Sequence, residues 1–175
     1  MKYRELYNEY RELLDCEIKL RQELHQIPRG YLVTKKIAGN EYLYLQYTLC
    51  GKKKSEYIRE EEREHIKAAV AKREPMRKKL DALRCEQSRL ESAAKILDSN
   101  LYRTFSYLKQ CAEMDSLPKE KRADVLSFAK AMTGLEGLPT KEETENNLLL
   151  WAKGEKKFMD FYMKSLQNYN VVEGV

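Results

Sequence analysis

No stretch of this 175-residue chain approaches the roughly 20 consecutive apolar residues that a membrane-spanning helix requires. Its first residues, MKYRELYNEYRELL, lack the apolar centre of a secretion signal, so a soluble, cytoplasmic protein with no membrane partner is expected. Histidine is nearly absent. His25 and His65 each stand in charged helical stretches on opposite sides of the chain's one non-helical segment, a setting that suits solvated side chains better than an acid, base or ligand. The four cysteines, Cys16, Cys50, Cys85 and Cys111, lie 34, 35 and 26 residues apart with no CxxC pair and no nearby histidine pair. Neither a zinc site nor a disulfide framework is expected from that spacing. There is no glycine-rich phosphate loop, no GxSxG and no HExxH. These absences point away from an enzyme and from any metal or cofactor.

Charge is what the chain has in quantity. Charged residues make up 35% of it, high for a compact globule and normal for long exposed helices, while a hydrophobic fraction of 42% suffices for a core. The charge is unevenly placed. Residues 1–28 carry 5 basic and 6 acidic side chains, residues 29–95 carry 17 and 10, and residues 96–175 carry 11 and 12. A positive centre between near-neutral flanks suits an anionic partner, either nucleic acid or an acidic protein surface.

The stretch from Ile27 to Glu60 is the part that does not read as helix. Two turn signals, Ala38-Gly39-Asn40 and Cys50-Gly51, divide it into three short runs rich in Tyr, Leu, Val and Thr, which predicts a three-stranded antiparallel meander over residues 31–58. The middle run alternates with period two. Tyr42, Tyr44, Gln46 and Thr48 share one face, and Leu43, Leu45, Tyr47 and Leu49 share the other, which should be buried under a helix.

Around the sheet the expected fold is mainly α, with long coiled-coil-like helices and a C-terminal helical bundle. Leu6, Leu13 and Leu20 recur seven apart in residues 2–26, with Ile27 next in the series and Glu17 breaking the second heptad position. The heptad resumes after the acidic run from Glu60 to Glu64 and extends to Leu97 and Leu101, interrupted by Arg73 and Gln87, with a kink or short break expected near Pro75. Residues 1–99 are thus read as a helical hairpin with the sheet inserted, and residues 100–175 as a bundle. A homodimer through the heptads stays open. Within the bundle, Asp115-Ser116-Leu117-Pro118 reads as a capped helix start, Gly134 and Gly137 as its end, and Thr140 with Glu143 as a capping box opening one last helix through Leu166. The tail from Asn168 is expected to fray.

The candidate binding residues are Lys35, Lys36, Tyr42, Tyr44, Gln46, Lys52, Lys53, Lys54 and Arg59. Lysines supply phosphate contacts, and a polar, aromatic strand face can approach base edges or stack on bases. The same residues also fit a duller role, with lysines guarding an edge strand and tyrosines packing. The segment GYLVTKKIAGNEYLYLQYTLCGKKKSEYI resembles the arm-type DNA-binding sheet of tyrosine integrases, with its turn glycine, tyrosine-rich middle strand and Gly-Lys third strand. It is also similar to small proteins of Firmicutes and their phages that place such a sheet between a proline–glycine turn, here Ile27-Pro28-Arg29-Gly30, and a Lys/Glu-rich helix. The likeness covers about a third of the chain and omits any catalytic domain, so it implies duplex DNA as the partner and carries no recombinase activity. In size, charge and lack of chemistry the chain is further similar to anti-CRISPR inhibitors, which would make its partner a nucleoprotein complex such as a Cas9-like CRISPR nuclease. A coiled-coil scaffold is the third reading.

Overall fold

Helix α1 spans Arg4–Gln26 and stops where Pro28 and Gly30 make further helical turns unfavourable. The chain then forms three strands, β1 Tyr31–Ile37, β2 Asn40–Leu49 and β3 Lys52–Tyr57, paired antiparallel in the order β1-β2-β3. A short 3-10 turn, Glu60–Glu62, leads into α2, Arg63–Leu97, followed by α3 Ser99–Asp115, α4 Lys119–Leu135, α5 Glu142–Lys153 and α6 Phe158–Asn168. This computed structural model describes residues 3–135 and 141–168. The architecture is the expected mainly α fold with a small antiparallel sheet. No helix among the described residues is long and apolar enough to cross a membrane. Two compact units divide the chain, Met1–Gln22 with Ala82–Val175, and Glu23–Asp81.

In the Glu23–Asp81 unit both hairpins turn on two residues of positive φ, Ala38 (51°) with Gly39 (84°), and Cys50 (50°) with Gly51 (75°). Two left-handed residues in succession match the twist of the flanking strands, which is why such short turns are favoured here. Leu43, Leu45 and Ile58 are buried, and Leu32, Tyr47, Ile66 and Val70 pack against them. Ile66 and Val70 are one turn apart on α2, so α2 supplies the helix that the leucine face requires. Burying each of the three central side chains contributes about 1.5–3 kcal/mol. Arg73 donates to the carbonyls of Ile27 (3.1 Å) and Pro28 (3.4 Å), which satisfies acceptors freed where α1 ends. Helix α2 continues through Pro75, so of the expected kink or short break the break does not occur.

The other unit is built on a ring stack, Tyr10 on Phe105, with centroids 4.0 Å apart and planes 2° from parallel. Leu14, Ile18, Ala94, Leu101, Leu108, Cys111, Met159 and Met163 close around it. Two of the residues that interrupt the heptads meet in this unit. Gln87 donates its amide to Glu17 Oε2 at 2.7 Å, and Arg21 (2.7 Å) and Arg84 (3.3 Å) reach Glu17 Oε1.

The bundle departs from expectation in three places. The heptad register from Leu97 to Leu101 is cut by Asp98, whose carboxylate caps α3 by accepting from the N–H groups of Asn100 and Leu101. Asp115 does not cap the helix that follows it. Its carboxylate accepts instead from the N–H groups of Phe158 (2.7 Å) and Met159 (3.1 Å), capping α6 from across the fold. The single last helix is two, because Gly154 (φ 78°) ends α5 in a left-handed turn, its N–H and that of Glu155 donating to the carbonyls of Trp151 and Leu150. Helix α4 passes Gly134, whereas Gly137, Thr140 and the tail after Asn168 lie outside the described residues.

Candidate nucleic-acid interface

Strand register decides which side chains share a surface. Leu45 lies opposite Leu32 on β1 and Glu56 on β3, so the even-numbered residues of β1 and β3 flank the buried leucines. The odd-numbered ones flank the tyrosines of β2: Tyr31 opposite Gln46, Val33 opposite Tyr44, Lys35 opposite Tyr42, and, from β3, Tyr57 opposite Tyr44, Ser55 opposite Gln46 and Lys53 opposite Thr48. The outward face therefore gathers Tyr31, Lys35, Tyr42, Tyr44, Gln46, Lys53, Ser55 and Tyr57, together with Val33, Ile37 and Thr48.

This face is organised. Tyr57 meets Tyr42 and Tyr44 edge to face, with centroids 5.9 and 5.7 Å apart. Lys35 lies with its ammonium 4.4 Å from the centre of the Tyr44 ring and donates to Ser55 Oγ at 3.3 Å. Tyr31 and Tyr57 remain exposed, at 55% and 48%. Gly30 leads into the first strand at φ 122°, so close to β2 that a Cβ there would stand 2.2 Å from the carbonyl oxygen of Gln46. Glycine is required by both the dihedral and the space.

Electrostatics separate the two faces. The sheet's two carboxylates, Glu41 and Glu56, both flank the leucine face, where Glu41 pairs with Lys36 at 3.2 Å and Glu56 accepts the Tyr47 hydroxyl, a bond that raises the pKa of that phenol. The tyrosine face carries Lys35 and Lys53 and no acidic residue. Residues 23–81 hold 14 basic and 9 acidic side chains, so the chain's whole net charge of +5 belongs to this unit. Near the end of α1, burial and the neighbouring charges of Arg29 and Arg77 lower the pKa of Arg73, which marks a local concentration of guanidinium groups.

Of the nine residues singled out in the sequence, the tyrosine face brings together Lys35, Tyr42, Tyr44, Gln46 and Lys53. Lys36, Lys52 and Lys54 alternate onto the leucine side, and Arg59 follows β3 as the exposed residue before the 3-10 turn. Sequence reasoning passed over Tyr31, Ser55 and Tyr57. Alternation applied to the outer strands, counted from the two turns, would have found them.

Among the described residues no group of three or more His, Cys, Asp or Glu side chains is placed to hold a metal ion. The chain matches no family model, no curated protein and no solved structure.

Proposed function

We propose that this protein binds nucleic acid, DNA foremost, through the sheet of the Glu23–Asp81 unit, and acts by binding rather than by chemistry. The observation that carries the reading is the segregation of charge and aromatic rings, a solvent face with four tyrosines, two lysines, Gln46 and no carboxylate, in the unit that holds all of the net positive charge. A surface without carboxylates meets phosphates without like-charge repulsion, and its lysines release condensed counterions on contact. The rings and amide supply the stacking and hydrogen-bonding groups that bases use.

The test is a salt titration of binding to labelled DNA, duplex and single-stranded, with the wild-type chain and a Lys35→Ala/Lys53→Ala variant. Affinity should fall with rising salt, and the variant should show a shallower slope, lower by roughly 0.7–0.9 for each phosphate it no longer neutralises. Absence of binding to either form at low salt refutes the reading.

A further inference from the structure

Resting on the reading of this face as a nucleic-acid surface, we infer that its ligand is an unpaired strand, with bases stacked on Tyr31 and Tyr57 and the backbone tracked by Lys35 and Lys53. A base inside a duplex has both of its faces covered by its neighbours and offers a protein only its edges in the grooves. A tyrosine ring stacks on a base only where that base is unpaired or splayed out. The face is richer in rings than in cations, which is the balance expected of a stacking platform.

The rings are not equivalent. Tyr44 has Lys35 over its ring, and Tyr42 is half-buried beside Tyr57. Tyr31 and Tyr57 stand on the two outer strands and are the most exposed rings of the sheet. Their register partners on β2, Gln46 and Tyr44, are two residues apart. At about 3.4 Å per residue along a strand and 4.8 Å between strands, their Cα atoms are separated by about 12 Å. Stacked bases rise only about 3.4 Å per step, so two bases seated on these rings are not stacked neighbours, and the strand holding them is splayed. Between the two platforms the row Tyr31, Gln46, Ser55 crosses all three strands, placing an amide and a hydroxyl where the edge of a seated base would lie. Lys35 is already ordered by Ser55 and the Tyr44 ring, so it loses less freedom than a solvated lysine on meeting a phosphate.

The experiment uses the full chain and fluorescence anisotropy with three probes: a labelled oligo-dT, an oligo-rU of the same length and a mixed-sequence DNA duplex. Binding to the single strands should exceed binding to the duplex about tenfold or more. Tyr31→Leu and Tyr57→Leu, which keep apolar bulk and remove the stacking ring, should each weaken single-strand binding roughly five- to hundredfold and narrow the preference for single strands over the duplex. Tyr31→Phe and Tyr57→Phe should retain it. Circular dichroism and a thermal melt establish that each variant folds, and since the two rings lie on different strands, either variant alone suffices. With only Lys35 and Lys53 on the face, log affinity for the single strands should fall against log salt with a slope near −1.4. The ratio of dT to rU binding states whether the strand is DNA or RNA. Duplex binding equal to or tighter than single-strand binding, or single-strand binding indifferent to both leucine variants, overturns the inference while leaving nucleic-acid binding standing. No binding to any of the three overturns both.

Discussion

Glu17 and Gln87 each break a heptad seam when read separately, and together they form one buried polar contact. Replacing Glu17 with Leu leaves the Gln87 amide, 1% exposed, without its acceptor at 2.7 Å. Stranding a buried polar group costs about 1–3 kcal/mol, and a bond to a charged acceptor is worth about 1.5–3 kcal/mol. The two arginines add less. Arg21 and Arg84 are 27% and 49% exposed at their side chains and line a cavity of about 300 Å³ that admits water, so their share is discounted to about 0.5 kcal/mol each. Glu17→Leu should therefore cost about 3 kcal/mol, and Gln87→Leu, which strands one carboxylate oxygen, about 2 kcal/mol. The double variant restores an apolar seam and should lie within about 1 kcal/mol of the wild type, because exchanging a buried polar pair for hydrophobic residues is often neutral. Urea denaturation followed by the fluorescence of Trp151, the sole tryptophan and buried in the same unit, reads the stability of that unit. A double variant destabilised by the sum of the two single losses would refute the reasoning, since it would show that the residues act independently.

Gly30→Ala should destabilise the Glu23–Asp81 unit by about 2–4 kcal/mol, because a Cβ would meet the Gln46 carbonyl at 2.2 Å in a backbone conformation that suits glycine; loss of strand signal in circular dichroism and early amide exchange across β1 and β2 check it. Ala38→Asn and Cys50→Asn should each stabilise the sheet by about 0.5–1 kcal/mol in the same measurements, since asparagine tolerates the left-handed conformation better than alanine or cysteine. Asp115→Ala should lower stability by about 2–3 kcal/mol by leaving the Phe158 and Met159 N–H groups uncapped. Burial outweighs these bonds and Arg122 in holding the Asp115 pKa above its usual value, so ionisation is disfavoured in the folded state. The stability of the wild type relative to Asp115→Asn should accordingly fall as pH rises from about 4, the unfolded value, through the raised folded one. Thiol titration should find Cys16, Cys50 and Cys85 reactive in the native protein and Cys111 protected until unfolding, because burial pushes the Cys111 thiol up to about 12 and hides it.

The sheet was legible in the sequence because its signals are local. Ala38-Gly39 and Cys50-Gly51 mark the turns by composition, and the alternation of β2 names its buried face without reference to the rest of the chain. What alternation also says of the outer strands is easily lost when a charge run such as Lys52-Lys53-Lys54 is read as one patch. Consecutive strand residues face opposite ways, so Lys53 joins the tyrosines while Lys52 and Lys54 do not. The bundle was less legible because its decisive contacts are distant. Asp115 has the composition of a local cap, followed as it is by Ser116 and Pro118, and only tertiary packing brings the start of α6 to it, 43 residues on. The break between α5 and α6 had a local signal in Gly154, outweighed in the sequence by a continuous apolar pattern from Leu148 to Leu166.

The division of the lysines also separates two roles that the sequence had superimposed. β3 is an edge strand, with one row of backbone groups unpaired, and charged side chains on such a strand discourage pairing with another chain. Lys52 and Lys54 are exposed on the leucine side of that strand, and Lys36 is paired with Glu41 at the far end of β1. Those positions suit edge protection and solubility and need no ligand to account for them. Lys35 and Lys53 are different, since they lie on the face that carries the four tyrosines. Edge protection does not require four tyrosines on one side of a sheet, nor does it require both of the sheet's carboxylates to fall on the other. Packing accounts for Tyr42 and Tyr44, which are half-buried, and for one edge of Tyr57, which meets both of them, but it leaves about half of the Tyr57 surface and more than half of Tyr31 open to solvent. What edge protection and packing leave unexplained is therefore no longer a basic patch but the exposed surface of Tyr31 and Tyr57, with Lys35 and Lys53 on the same face.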